Sequence, residues 1–229
     1  NFEGRTYYPF LEESHVAPLR PLYRPEAPLI FCFDFNVDPG VACVCQEMKL
    51  PNGQEGTAVI GEVYIPRNSC TPAVCRKLIQ DWGGHEGAVI CYGDAAGGSR
   101  GSAKVAGSDW DLIKAEFRQS PLGRRMTYRV PSVNPPERAR VNAVNSRLKS
   151  ESGDVRLMVD PQAAPHVAKD LEGVALLKGG SGEIDKKAAP ELTHISDALG
   201  YYIAAEFPVQ GRPKTAIHHI SASRTIYYG

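Results

Sequence analysis

Three apolar runs, at 29–37, 40–48 and 57–65, follow one another with only turn chemistry between them: Asp-Pro-Gly at 38–40 and Pro-Asn-Gly at 51–53. The runs are rich in Val, Ile, Phe and Cys, which suit a pleated, buried surface, and the proline–glycine separators reverse the chain within a few residues. Three consecutive antiparallel strands follow. Thr71-Pro72 then predicts a helix over 71–82, with Thr71 as cap and Pro72 in the first turn, where a missing N–H costs nothing. AVICYGD, at 88–94, is short, apolar and bounded by glycine, the pattern of a strand buried in mid-sheet. An antiparallel meander that crosses over through a helix and returns as a buried strand makes an α/β protein with a mixed sheet.

Downstream, the Gly- and Ser-rich stretch 95–107 reads as a loop and 108–119 as a helix capped by Ser108 or Asp109. A strand at RRMTYRV (124–130), a helix from about Pro136 past Arg147, a strand at VRLMVDP (155–161) and a short helix over 165–173 come next. The stretch 178–190 reads as a second loop. From 191 to 207, Leu192, Ile195, Leu199, Tyr202, Ile203 and Phe207 recur at three- and four-residue steps, the apolar stripe of a helix. Residues 1–28 carry Pro18, Pro21, Pro25 and Pro28 and read as an extended linker or arm packed on a domain spanning 29–229. Because the chain opens on Asn, it is expected to be a piece of a longer polypeptide.

A chain of 229 residues, 42% hydrophobic and 23% charged, can bury one sizeable core. No window approaches a membrane span and NFEGRTYYPF lacks the features of a signal peptide, so an intracellular, unanchored protein is expected. The six cysteines all precede residue 92 without zinc-like spacing to histidines, and are read as reduced core thiols. A net charge of zero argues against a uniformly basic nucleic-acid binder. One local patch stands out: 118–149 holds Arg118, Arg124, Arg125, Arg129, Arg138, Arg140, Arg147 and Lys149 against Glu137 alone. Phosphate contact and a solvated helix face are its two readings.

Three carboxylates interrupt apolar segments: Asp34 in LIFCFDFNV, Asp94 closing AVICYGD, and Asp197 in HISDALGYYIAAEF. Buried acids need compensation by a cation or hydrogen bonds, and one magnesium or manganese site would compensate all three. Two divalent ions would neutralise a phosphodiester, activate water and stabilise the leaving oxygen. In that scheme Asp34, on a central strand, bridges both ions, Asp94 holds one and Asp197 the other. Glu62, Asp38 and His194 are additional ligand candidates; against them stand a solvent-facing glutamate, an Asx turn formed by Asn36 and Asp38, and a helix-start histidine. Arg100, Lys104, Arg124, Arg125, Lys186 and Lys187 are candidates for contact with a DNA backbone, or else keep their segments solvated.

The segments FDFNVDPGVACVCQ, YGDAAG, SVNPPERARVNAVNSRL, RLMVDP and HISDALGYYIAAEFP, in this order over roughly residues 28–208, together resemble the C-terminal nuclease domain of the large terminase subunit of tailed bacteriophages. The resemblance implies a ribonuclease H-like fold, a mixed central sheet of three antiparallel strands followed by parallel strands and flanked by helices. It also implies three catalytic, metal-binding acids at Asp34, Asp94 and Asp197 and two Mg2+ or Mn2+ ions as cofactors. The implied activity is an endonuclease cutting concatemeric double-stranded DNA at the start and end of genome packaging. Implied partners are that DNA, an ATPase domain upstream in the same polypeptide, the small terminase subunit and the procapsid portal, with no membrane. The implied location is the bacterial host cytoplasm rather than the mature virion. No GxxxxGK[ST] phosphate loop occurs, so the chain itself holds no such ATPase motif. Another ribonuclease H-like nuclease, such as a junction resolvase or RNA-hybrid hydrolase, and a non-catalytic DNA- or portal-binding module remain open on the residues alone.

Overall fold

The computed structural model describes residues 6–7, 10–35, 38–95, 108–175, 184 and 192–209. Its elements are α1 (Glu12–His15), β1 (Leu29–Asp34), β2 (Gly40–Lys49), β3 (Glu55–Ile65), α2 (Thr71–Trp82), β4 (Val89–Gly93), α3 (Asp109–Arg118), β5 (Met126–Tyr128), α4 (Glu137–Leu148), β6 (Leu157–Val159), α5 (Pro165–Gly173) and α6 (His194–Glu206). β1, β2 and β3 form the expected antiparallel meander, with Cys32 opposite Cys43 and Cys43 opposite Glu62. β4 lies parallel to β1, Phe33 opposite Gly93, and β5 lies parallel to β4. The sheet order is β5-β4-β1-β2-β3-β6. Three antiparallel strands with the next two added in parallel beyond β1 make the ribonuclease H-like arrangement that the sequence predicts.

Alternation along β1 divides the molecule into two cores, because successive side chains point to opposite faces of a sheet. Leu29, Phe31 and Phe33 pack with Leu78 of α2 and Ile113 and Phe117 of α3 on one face. Ile30 and Cys32 share the other face with Val144 of α4, Leu171 of α5 and Leu199 and Ile203 of α6. Cys32, Cys43 and Cys45 are wholly buried beneath α6, with the Cys43 and Cys45 sulfurs 3.5 Å apart. Burial pushes all three thiols up, so they remain neutral, as free core cysteines should.

Several local expectations shift. Thr71 is the first helical residue of α2 rather than its cap; Cys70 occupies the cap position, and the Thr71 hydroxyl donates to buried Asp109 instead. Ser108 does cap α3, accepting from the Asp111 amide. α6 starts at His194, not 191, because Thr193 takes a left-handed φ of 88° that helical continuation forbids. Its first turn is capped from another element: buried Asp170 of α5 accepts from the amides of Thr193 and Ser196 at 3.0 and 3.1 Å.

The described part of the N-terminal arm is packed into the domain. Gln46 of β2, fully buried, accepts from the Arg24 amide and donates to the Arg24 and Ala27 carbonyls, and Asp160 accepts from the amides of Leu19 and Arg20. Arg20 also lies 3.8 Å over the Trp82 ring. Buried polar groups persist where their bonds are met, so these side chains tie the arm to β2 and to the end of β6.

Three of the eight basic residues in the stretch 118–149 are turned into the molecule. Arg129 pairs with Glu206, Arg140 with Asp197 and Arg147 with Glu47, all at 2.9–3.0 Å. Arg147 and Tyr202 share Glu47 with Thr57, and the Arg147 guanidinium lies 3.8 Å over Phe207. These three arginines cross-link α4, α6 and the sheet, which leaves Arg118, Arg124, Arg125, Arg138 and Lys149 exposed.

Candidate active site

The parallel pairing of β1 and β4 sets the site. Asp34 ends β1 and Asp94 follows β4 directly after the Phe33–Gly93 pair, so both acids leave the C-terminal ends of neighbouring strands. Adjacent strands run about 4.8 Å apart. Asp34 continues the Ile30–Cys32 face, while Phe33 and Phe35 stack on the opposite side against Trp110. α6 crosses β1, β2 and β4 on the Asp34 face and brings its first turn over this end of the sheet. His194 Nδ1 then lies 3.6 Å from Asp34 Oδ2, and Asp197, one turn later, is 8% exposed.

Tyr201 lies within electrostatic reach of all three acids. Burial pushes its phenol up, and the charges of Asp34, Asp94 and Asp197 push it further, while Arg140 opposes them. Three carboxylates from β1, β4 and α6 therefore act on one hydroxyl, although 163 positions separate the first from the last. Carboxylate oxygens are the donors that hard divalent cations prefer, so in donor type alone Asp34, Asp94 and Asp197 suit magnesium or manganese. The carboxylates are not drawn into one coordination set: among the described residues no three His, Cys, Asp or Glu side chains are grouped closely enough to hold a metal.

Two side chains absent from the expectations engage the acids. Asn134 donates to Asp94 Oδ1, and its own oxygen accepts from the Ala95 amide at 2.8 Å, which fixes the turn leaving β4. Arg140 donates to Asp197 Oδ1 at 2.9 Å and to the Pro135 carbonyl at 2.9 Å, with its guanidinium 4.6 Å over Tyr201. The asparagine before a double proline and the arginine in a basic run were visible in sequence, but their partners lie 40 and 57 positions away.

The other candidates fall elsewhere. Glu62 is used at the start of α5, where its carboxylate accepts from the amides of His166 and Val167 and from His166 Nδ1. This is the favourable place for an anion, at the positive end of a helix dipole, and explains an acid on β3 without a cation. Asp38 is exposed and accepts from the Ser69 amide at 2.9 Å, tying the β1–β2 turn to the segment before α2. Arg124 and Arg125 precede β5, beside the start of β4; Arg125 donates to the His85 carbonyl. They therefore sit at the opposite end of the sheet from Asp94, about 16 Å along the strand at about 3.3 Å per residue. Asn36, Arg100, Lys104, Lys186 and Lys187 lie outside the described residues.

The fold is a mixed six-stranded sheet flanked by helices, with acids at the C-terminal ends of β1 and β4 and in the first turn of the last described helix. No family model matches the chain, and no curated protein matches it. Among solved structures it is similar to the nuclease domain of the large terminase (g2p) from bacteriophage SPP1, solved with bound Mn, at 15% identity over 76% of this chain and 84% of that one, with a TM-score of 0.47. At that level of likeness neither activity nor site residues transfer from that protein to this chain. No helix among the described residues is long and apolar enough to cross a membrane.

Proposed function

We propose that this domain is a divalent-metal-dependent endodeoxyribonuclease that cuts concatemeric double-stranded DNA during phage genome packaging. What supports the reading is that Asp34 and Asp94 leave neighbouring parallel strands at the same end of the sheet, and that Asp197, in the first turn of α6, acts with them on the Tyr201 phenol. Two Mg2+ or Mn2+ ions at these carboxylates would neutralise the scissile phosphate and lower the pKa of an attacking water. Asp34, Asp94 and Asp197 are the residues that would hold the ions. Asn134 keeps Asp94 aimed, His194 borders Asp34, and α6 shields the Asp34 face of the sheet from bulk water. Substrate contact is proposed to be mainly with phosphates, with Arg100, Lys104, Lys186 and Lys187 as backbone contacts. The ATPase domain, the small terminase subunit and the portal are proposed partners, and the host cytoplasm the proposed location, on the strength of the sequence resemblance.

A non-catalytic DNA- or portal-binding module is the competing reading, and the Arg140–Asp197 ion pair supports it, since a satisfied salt bridge accounts for a buried acid without metal. Manganese-dependent nicking of supercoiled plasmid separates the two. The wild-type domain should nick, and Asp34→Ala should lower the rate at least about 100-fold, as expected for loss of a charge acting on the transition state. Nicking by neither would leave the binding module standing, and equal nicking by both would remove Asp34 from the site.

A further inference from the structure

We propose that the stacked rings of Tyr64 and His166 form a binding site for an unpaired nucleobase, so that the domain holds a single-stranded segment of nucleic acid beside the candidate active site. This deepens the nuclease reading above and rests on it for the class of ligand. Asp34 of β1 pairs with Val41 of β2, and Val41 pairs with Tyr64 of β3. Residues paired across a sheet share a face, so Tyr64 stands in the row of Asp34, two strands away, or about 10 Å at about 4.8 Å per strand. His166, in the first turn of α5, lies flat on Tyr64, with ring centroids 3.7 Å apart and planes within 3° of parallel. Its Nδ1 donates to Glu62 Oε1 at 2.5 Å. One face of the imidazole is thus covered by Tyr64 and one edge is held by Glu62, so the 41% of the side chain that is exposed falls on the other face and on the Nε2 edge.

Capping of α5 does not account for this ring. The cap is made by the His166 and Val167 amides on Glu62, and most residues at position 166 would supply the same amide. The bond to Nδ1 does something else: it fixes the rotation of the imidazole, while Pro165 at the start of α5 fixes the backbone beneath it. A flat π surface that is ordered before its ligand arrives gives up little entropy when a further ring stacks on it. Nucleobases are the planar partners that such platforms take, with little regard to sequence because every base has a π-face. A phosphate at the Nε2 edge would approach the Glu62 carboxylate across the ring, whereas a base brings no such charge. The distance of about 10 Å to Asp34 spans about three nucleotides of one strand at about 3.4 Å of rise each, so the base held here belongs to the strand that reaches the acids.

The test is fluorescence anisotropy of a labelled single-stranded DNA of about 12 nucleotides with the full chain in EDTA, so that neither metal nor cleavage enters. Wild type should bind this strand, and should bind an abasic strand of the same length at least about tenfold more weakly. His166→Ala should lose about tenfold in affinity for the strand with bases, the loss of one base–ring stack, and stay within about twofold of wild type on the abasic strand. His166→Phe, which keeps a flat ring over Tyr64, should stay within about threefold of wild type on the strand with bases. Circular dichroism establishes that each variant is folded; if His166→Ala is not, the two strands compared on wild type, and quenching of a 2-aminopurine placed in the strand, carry the test. Equal affinity of wild type and folded His166→Ala, or no binding by wild type, overturns the base site. The same loss on both strands overturns it in favour of a phosphate contact, and His166→Phe as weak as His166→Ala overturns stacking as its basis. Metal-dependent nicking of plasmid decides the nuclease reading separately, since binding in EDTA with no nicking would remove that reading and leave the base site.

Discussion

Asp170 should make this domain less stable as pH rises from about 4 to about 6. Its carboxylate is 2% exposed and serves as the cap of α6, taking the Thr193 and Ser196 amides on one oxygen. Burial raises its pKa from 3.8 to about 6, against the opposing pull of Ser196, Thr193 and His194. The folded state therefore binds the proton more tightly than the unfolded chain does. The stabilisation from the protonated acid is complete below about 3.8 and is lost as pH passes through about 6. A shift of roughly 2 pH units at about 1.36 kcal/mol each amounts to about 3 kcal/mol. Asp170→Asn keeps a carbonyl oxygen for the two amides and removes the titration. Its NH2 group must find an acceptor, but that cost does not vary with pH, so the informative quantity is the change in the wild-type–variant gap. Urea unfolding of both proteins at intervals between pH 4 and 7.5 should show the gap moving by about 3 kcal/mol in favour of asparagine. A gap constant to within about 0.5 kcal/mol would refute a buried, strained carboxylate at the head of α6.

Further outcomes follow from other parts of the structure. Gln46→Ala should destabilise the domain by about 1–3 kcal/mol, because it strands buried backbone groups of the arm, and limited proteolysis should then cut within 17–28 before the sheet is attacked. Arg124→Glu combined with Arg125→Glu should leave nicking within about twofold at 0.1 M salt, since both precede β5 at the end remote from Asp94. A large loss would mean that DNA passes over that edge of the sheet. Glu62→Gln should lower stability by about 1–2 kcal/mol through the weakened cap of α5, with Mn2+ affinity unchanged in calorimetry; lost affinity would restore Glu62 as a ligand.

The meander was legible because its turns are local: Asp-Pro-Gly and Pro-Asn-Gly determine where the chain reverses, and the runs between them alternate across one sheet. β4 was legible for the same reason, as a glycine-bounded apolar run. The placement of β6 was not, because a three-residue strand pairs in parallel with β3 across a sequence gap of about a hundred residues, and nothing in VRLMVDP names its neighbour. The start of α6 was misjudged because Thr193 turns left-handed under an amide bond to Asp170, a contact that belongs to α5.

At the site, Asp34 and Asp94 could be read from the interruption of apolar runs, and their proximity came with the parallel pairing. Charge counting over 118–149 misled for three of the eight basic residues. Arg129, Arg140 and Arg147 spend their charge inside the molecule, on Glu206, Asp197 and Glu47, and a one-dimensional tally cannot see partners that arrive from α6 and β2. Glu62 looked like Asp34, an acid on a strand, until the first turn of α5 supplied the amides it answers.

The central claim is that Asp34, Asp94 and Asp197 jointly bind divalent cations. Anomalous diffraction from crystals grown with Mn2+ tests it most directly. The account predicts manganese bound to Asp34 and to at least one of Asp94 and Asp197. Manganese found only at other carboxylates, or none near Asp34 at millimolar Mn2+, would contradict it.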